Sequence, residues 1–259
     1  MSSLVCPMAL LPPEVATLVF NNIEETSHLL ECSLVCRSWV TFSRSNLKLA
    51  VFKGPSTACF AELLACPTNT LAPTLTELRL YTSNVEPLLP ALGAFPFLRV
   101  LELGYCTVTE KLPALPSLTS LTLKLVQFQT SGVFHAHVAS LPLLQTLSLF
   151  GVSCTDAGDG DAMFEETDCS IIIPSLQLQF FADHVIDKRI LFALYAQNLT
   201  LLLHDTPAHA WLSEFLVHLG AALRTLKIVT LPNWQPDDIL AQLDLSANVN
   251  LVDVEARTI

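Results

Sequence analysis

From Leu75 onward one spacing of apolar residues keeps returning: Leu-x-x-Leu-x-Leu, at Leu75-Leu78-Leu80, Leu98-Leu101-Leu103, Leu118-Leu121-Leu123 and Leu144-Leu147-Leu149. Weaker copies begin at Leu199-Leu202, Leu223-Leu226-Ile228 and Leu251-Val254. The starts lie 23, 20 and 26 residues apart, then 55, then 24 and 28. The long interval has room for one degenerate unit, and Pro174-Ser175-Leu176-Gln177-Leu178-Gln179-Phe180 fits it. Alternation at the end of each copy predicts a short strand with its leucines on one face. Helical returns are predicted between strands, over residues 86–92, 134–139, 187–196, 208–219 and 236–243. No unit can bury its own apolar face, so neighbours must stack into a parallel sheet.

Ahead of this array the period changes. Pro12 and Pro13 suit a first helical turn, where a missing N–H costs nothing. Val15, Leu18, Val19 and Ile23 then fall on one helical face, and Asn21 and Asn22 mark its end. Thr26 or Ser27 can cap a second helix carrying Leu29, Leu30 and Leu34, with Glu31 near its positive end. A third short helix carries Trp39 and Phe42. Three short helices in so few residues bury too little surface to stand alone, so a partner or the following domain completes their core. Periods of about 20–29 residues with this consensus are those of leucine-rich repeats. The expected class is therefore α/β: a three-helix module over residues 8–50, a connecting helix or linker over 51–70, and an irregular leucine-rich-repeat solenoid over 71–259, a parallel sheet with helical returns. Residues 151–170, rich in Gly, Asp and Glu, break the pattern and read as an exposed acidic loop inserted into the array.

Composition narrows the function classes. The chain is 51% hydrophobic and 14% charged, with mean hydropathy +0.51. Yet no run reaches the roughly 18 apolar residues a membrane span requires. The most apolar stretch, 199–223, is broken by His204, Asp205, Pro207, His209, Glu214 and His218. The N-terminus has no basic region, and Pro7, Pro12 and Pro13 cut its apolar run, so it is a poor signal peptide. A soluble cytoplasmic or nuclear chain is expected, with no membrane partner. Residues 1–53 hold four basic and four acidic side chains, leaving the whole net charge of −11 to the rest. Such a balance repels phosphate and disfavours nucleic acid, and a basic target is the better match. None of the eight cysteines forms a CxxC pair or a zinc-like cluster, so reduced thiols are expected.

The segment Leu11-Pro12-Pro13-Glu14-Val15, followed by Leu29-Leu30-Glu31-Cys32-Ser33-Leu34-Val35-Cys36-Arg37-Ser38-Trp39, resembles the F-box. That motif opens on Leu-Pro-x-Glu and closes on Ser-x-Val-Cys-x-x-Trp, and both halves stand here together. The chain is similar to F-box proteins abundant in mushroom-forming fungi, which often place a segment like Phe60-Ala61-Glu62-Leu63-Leu64-Ala65-Cys66-Pro67 before the first leucine strand. It departs from them at Asn46-Leu47-Lys48-Leu49, where Leu-Phe and a strand are more usual. The resemblance implies a substrate-recruiting adaptor. Its F-box would bind the Skp linker protein of a cullin–RING ubiquitin ligase through Leu11, Pro12, Val15, Leu34, Val35, Cys36 and Trp39, and its C-terminal domain would hold a target protein.

In a horseshoe array the non-leucine strand positions face the target. Glu77, Arg79, Arg99, Glu102, Thr122, Lys124, Ser148, Thr225 and Lys227 are the candidates. Other constellations read as structural. Cys36 with His28 lacks anything to lower the thiol pKa except Arg37. His135 and His137 lack further ligands and read as helix or loop surface. The acidic insert lacks calcium-loop spacing. Asn198-Leu199-Thr200 opens a strand and is a poor glycosylation acceptor. Cys106 occupies the turn position where repeats place Asn or Cys. No catalytic constellation, metal site or cofactor loop is expected, and the chain does not read as an enzyme.

Overall fold

Leucine is stacked on leucine from strand to strand. The computed structural model describes residues 12–23, 28, 32, 39, 43, 47–54, 60, 72–155, 171–180, 186–204, 209–231, 239–241 and 243–258. Among them, nine strands form one sheet in chain order: β1 (Leu49–Lys53), β2 (Glu77–Tyr81), β3 (Val100–Gly104), β5 (Ser120–Lys124), β7 (Thr146–Phe150), β9 (Ile171–Phe180), β10 (Leu194–Leu203), β11 (Thr225–Thr230) and β12 (Asp253–Thr258). Every pairing is parallel. Two inward rows run across it. One is Leu78, Leu101, Leu121, Leu147, Leu176, Leu199 and Leu226; the other is Leu80, Leu103, Leu123, Leu149, Leu178, Leu201 and Ile228. All are buried. This register follows from the period of two: a one-residue slip would turn a whole set of leucines to water.

Returns close the core on the inner side. A 3₁₀ turn at Glu86–Leu88 leads into α2 (Leu89–Leu92); α3 (Ser131–Ala139), α4 (Lys188–Leu191) and α5 (His209–Leu219) follow. Thr130 caps α3 by accepting the Val133 N–H, and Asp187 caps α4 by accepting that of Arg189, each satisfying a donor the helix itself cannot pair. A second parallel sheet of two-residue strands, β4 (Thr107–Val108), β6 (Gln127–Phe128) and β8 (Ser153–Cys154), lines the first corner of three successive units. The turn into that corner repeats: Gly54, Tyr105, Leu125 and Gly151, each just after a strand of the large sheet, have φ between 53° and 59°. Gly54, Tyr105 and Leu125 donate their N–H groups to the last carbonyl of the next strand, from Tyr81, Lys124 and Phe150. Tyr105 and Leu125 hold this left-handed conformation without being glycine, at a cost of about 1 kcal/mol each.

Several expectations are corrected. The sheet begins at β1, ahead of the leucine pattern, so Val51 to Lys53 are strand and not connecting helix or linker. Residues 194–196, expected in a helical return, open β10, and the helix is confined to α4. The copy assigned to Leu199-Leu202 is displaced. Leu199 pairs with Leu176 and Leu226, and Leu201 with Leu178 and Ile228, so the unit starts at Ala196, while Leu202 faces outward. Ala196 pairs with Ile173, so the interval from Leu144 to the shifted start at Ala196 divides into spacings of 29 and 23 residues. Pro174 is tolerated inside β9 because it precedes the residues paired to β7, where no described strand pairs with that edge. The acidic break starts later than expected, since Ser153–Cys154 is still strand. Residues 156–170, and residues 236–238 and 242 of the 236–243 return, lie outside the described residues, while Ile239 and Leu240 of that return are helical.

Candidate functional site

Helix α1 (Pro13–Asn21) starts where its prolines direct: Pro12 is the N-cap, Pro13 the first helical residue, and the Pro12 carbonyl accepts the N–H groups of Val15 and Ala16. The helix ends at Asn22, whose side-chain amide donates to the Leu18 carbonyl at 2.7 Å. Ala16 and Phe20 face inward, and Phe20 meets the Trp39 ring edge-on at 5.5 Å. The opposite face is apolar yet open: Val15, Leu18 and Val19 are 45%, 66% and 44% exposed, and Pro12 is exposed beside them. His28, Cys32, Trp39 and Ser43 are helical. Trp39 is half-buried, with its indole Nε1 buried and unpartnered, so part of its surface packs the module itself. Leu11, Leu34, Val35 and Cys36 lie outside the described residues.

The second surface is the outward face of the large sheet. The register aligns Val51, Arg79, Glu102, Thr122, Ser148, Gln177, Thr200, Lys227 and Glu255 in one row across it. Glu77 and Thr225 belong to the row before, and Lys124 to the row after. Arg99 lies just ahead of β3, outside these rows, exposed, with its carbonyl accepting the N–H groups of Thr119 and Ser120. Glu102 is the centre of a cluster. Its carboxylate accepts the Tyr81 hydroxyl at 2.7 Å and the Lys124 ammonium at 2.6 Å, with Arg79 at 3.6 Å. Burial alone would raise its pKa; the hydrogen bonds from Lys124 and Tyr81 and the charges of Lys124 and Arg79 outweigh that and hold it below the ordinary value. Burial, with the bond to Glu102, pushes the Tyr81 phenol up to about 12, so it stays a donor at neutral pH. Lys227 pairs with Glu255 at 2.7 Å, and Thr225 donates to the Asn198 amide oxygen.

Tyr81, Tyr105 and Lys53 extend this cluster and escape a reading of the sequence that follows charges alone. The Lys53 ammonium sits 5.7 Å from the Tyr81 ring centre, and the tyrosine rings are 6.3 Å apart. Their signal is parity: Tyr81 lies two residues beyond Arg79 and so shares its face. The outward rows hold Lys53, Arg79, Lys124, Lys227 and Arg257 against Glu77, Glu102, Asp253 and Glu255. This face is thus close to neutral, and the −11 expected to attract a basic target is carried elsewhere.

The Tyr81 ring lies across Gly104, where an added Cβ would stand 2.7 Å from Tyr81 Cδ1. A Gly104→Ala change is expected to cost about 1–2 kcal/mol by displacing the ring from Glu102. In a Tyr81→Ala background that cost should vanish in a double-mutant cycle read by denaturant unfolding. Additive effects would show that the ring and Gly104 are not coupled.

His137 corrects the expectation of a surface pair. It is buried on α3 and its Nδ1 accepts the Leu112 N–H at 2.9 Å, while His135 is part-buried on another side of the helix. Burial pushes the His137 pKa down to about 4, with Lys111 lowering and Glu86 raising it. An unfolded chain takes up this proton near pH 6.5 and the native chain only near 4. Stability contributed here is therefore complete above pH 6.5 and lost as pH falls towards 4, by about 3 kcal/mol in total. A His137→Gln variant should show a flatter stability profile between pH 4.5 and 6.5; an unchanged slope would contradict the assignment.

Cys106 is buried after β3, and burial, aided by the Glu86 charge, drives its thiol up to about 12. It is a packing residue, whose carbonyl accepts the Gln127 N–H. Among the described residues, no three His, Cys, Asp or Glu side chains stand where they could hold a metal ion, and no helix is long and apolar enough to cross a membrane.

A short helix with an open apolar face thus stands ahead of a parallel sheet with a polar outward face. The family whose model is described as F-box-like matches residues 8–49, the segment that contains α1 and Trp39. The match covers roughly a sixth of the chain. A comparison with curated proteins finds no match.

Proposed function

We propose that this chain is a substrate-recruiting adaptor of a cullin–RING ubiquitin ligase, its F-box docking on the Skp linker and its C-terminal sheet binding a target protein. The observation that carries the reading is the exposed Val15, Leu18 and Val19 face of α1 inside the F-box-like segment. An apolar stripe on a helix whose other side is already buried is suited to a partner's groove, where each anchor is desolvated. With Leu11, Pro12, Leu34, Val35, Cys36 and Trp39 it makes up the proposed linker surface.

The regular leucine rows and the spacing of the units support reading the sheet as a leucine-rich-repeat solenoid of the kind that follows such modules in mushroom-forming fungi. Glu77, Arg79, Glu102, Thr122, Lys124, Ser148, Thr225 and Lys227, with Arg99 at the margin, are the proposed target contacts. The adaptor acts by proximity, raising the effective concentration of target beside the ubiquitin-carrying enzyme. Affinity purification of the intact chain tests it. Recovery of both linker and cullin is expected; linker without cullin would favour an interaction scaffold outside any ligase, and neither would overturn the reading.

A further inference from the structure

The two ends of the large sheet are finished differently. At the β1 end Ala50 is buried, and the Phe52 ring stacks on the buried Phe60 ring with centroids 3.9 Å apart. At the β12 end the inward rows continue through Val254, aligned with Leu226, and Ala256, aligned with Ile228. Yet Val254 is 42% exposed, and Val252 and Val249 nearby are 81% and 77% exposed. Strand β12 pairs with β11 alone among the described strands. Among the described residues its other edge is a row of backbone donors and acceptors, the usual template for another strand, and no proline interrupts Asp253–Thr258.

We propose that a second copy of this chain covers that edge, the two β12 strands pairing antiparallel about a two-fold axis perpendicular to the sheet. The charges of β12 select one register. Directly opposed residues share a face in an antiparallel pair, so the symmetric registers that keep apolar against apolar are those centred on a residue. Any register centred between two residues would set the inward row of one copy against the outward row of the other. Centred on Val254, Asp253 would oppose Glu255 twice. Centred on Glu255, that carboxylate would oppose its own copy. Centred on Ala256, Glu255 opposes Arg257 twice, Val254 opposes Thr258, and no like charges meet. Glu255 and Arg257 both point outward and are accessible, with Glu255 holding Lys227 at 2.7 Å. The interface is isologous and closes at two copies, joining the two sheets into one and covering the Val254 row.

Sedimentation or light scattering of the full chain over a concentration series tests this. The mass is expected to rise from 28.3 kDa towards twice that value. Charge-reversed copies separate this contact from any association through α1. Glu255→Arg and Arg257→Glu should each be monomeric, because each sets like charges opposite one another. Mixed together, they should form a one-to-one heterodimer, since one chain is then basic at both positions and the other acidic at both. The doubly reversed chain should dimerise like the parent. Matching melting curves for all variants exclude unfolding as the cause. A parent that stays monomeric up to millimolar concentration, single variants that dimerise as the parent does, or a mixture that stays monomeric would each overturn the proposal.

Discussion

A Val15→Asp/Leu18→Asp chain is expected to bind the Skp linker about a thousandfold more weakly than the parent while keeping its fold. Both side chains lie on the open face of α1, away from the buried Ala16 and Phe20. Desolvating the apolar part of each contributes about 1–2 kcal/mol to a complex, and a carboxylate in the same groove would be buried without a partner. Together the two changes remove about 4 kcal/mol, or close to three powers of ten. In the free chain both positions face water, where substitutions usually move stability by less than about 0.5 kcal/mol each. Calorimetric titration with purified linker, next to a melting curve of each chain, separates the effects. An affinity within about threefold of the parent's would exclude α1 as the docking helix; a melting point lowered by about ten degrees or more would show that Val15 and Leu18 serve the fold instead. An Ala16→Asp chain supplies the contrast, since it should unfold the module.

How far the sequence can be read depends on what each residue has to satisfy. The strands at Leu78, Leu101, Leu121 and Leu147 are legible because each carries leucine at every inward position of the repeat. Strand β1 is not, because Leu47, Ala50 and Phe52 occupy those positions, and a buried place requires only that its volume be filled. There Phe52, Phe60 and Phe95 supply bulk through a run of stacked rings. The Leu199-Leu202 slip has the same origin: Ala196 stands where other units have leucine, so an outward Leu202 completes a false copy. The place of His137 is legible in principle. Phe134, His137 and Val138 follow the helical spacing of i, i+3 and i+4 and are the buried residues of α3, which sets His137 inside and leaves His135 to one side. For the outward surface, charge singles out Arg79, Glu102 and Lys124, but only the parallel register brings Lys124 beside Glu102 and Tyr81 across Gly104. Spacing within a unit gives the face of a residue; spacing between units, which varies from 20 to 29 residues, gives its neighbours.

Leu121→Ala and Val254→Ala remove apolar atoms from the same row of the sheet and should differ several-fold in cost. Leu121 lies on β5 between Leu101 and Leu147 and is 1% exposed, with strands on both sides and returns beneath it. Truncation there forfeits the transfer energy of the lost atoms and leaves a cavity that two flanking strands cannot close, about 2–5 kcal/mol. Stabilities of single domains lie near 5–15 kcal/mol, so one such change consumes a large share. Val254 occupies the corresponding position on β12, with a single neighbouring strand among the described residues, and its truncation should cost less than about 1 kcal/mol in the monomer. The difference follows from stacking: each unit is stabilised by the interfaces with its neighbours, so a central position loses two and an end position loses one. Urea unfolding of dilute protein gives both values. Equal costs at the two positions would mean that the sheet does not derive its stability from unit-to-unit contacts. Hydrogen exchange adds a spatial check: Leu121→Ala should weaken protection in β3, β5 and β7 together, whereas Val254→Ala should change β11 and β12 alone.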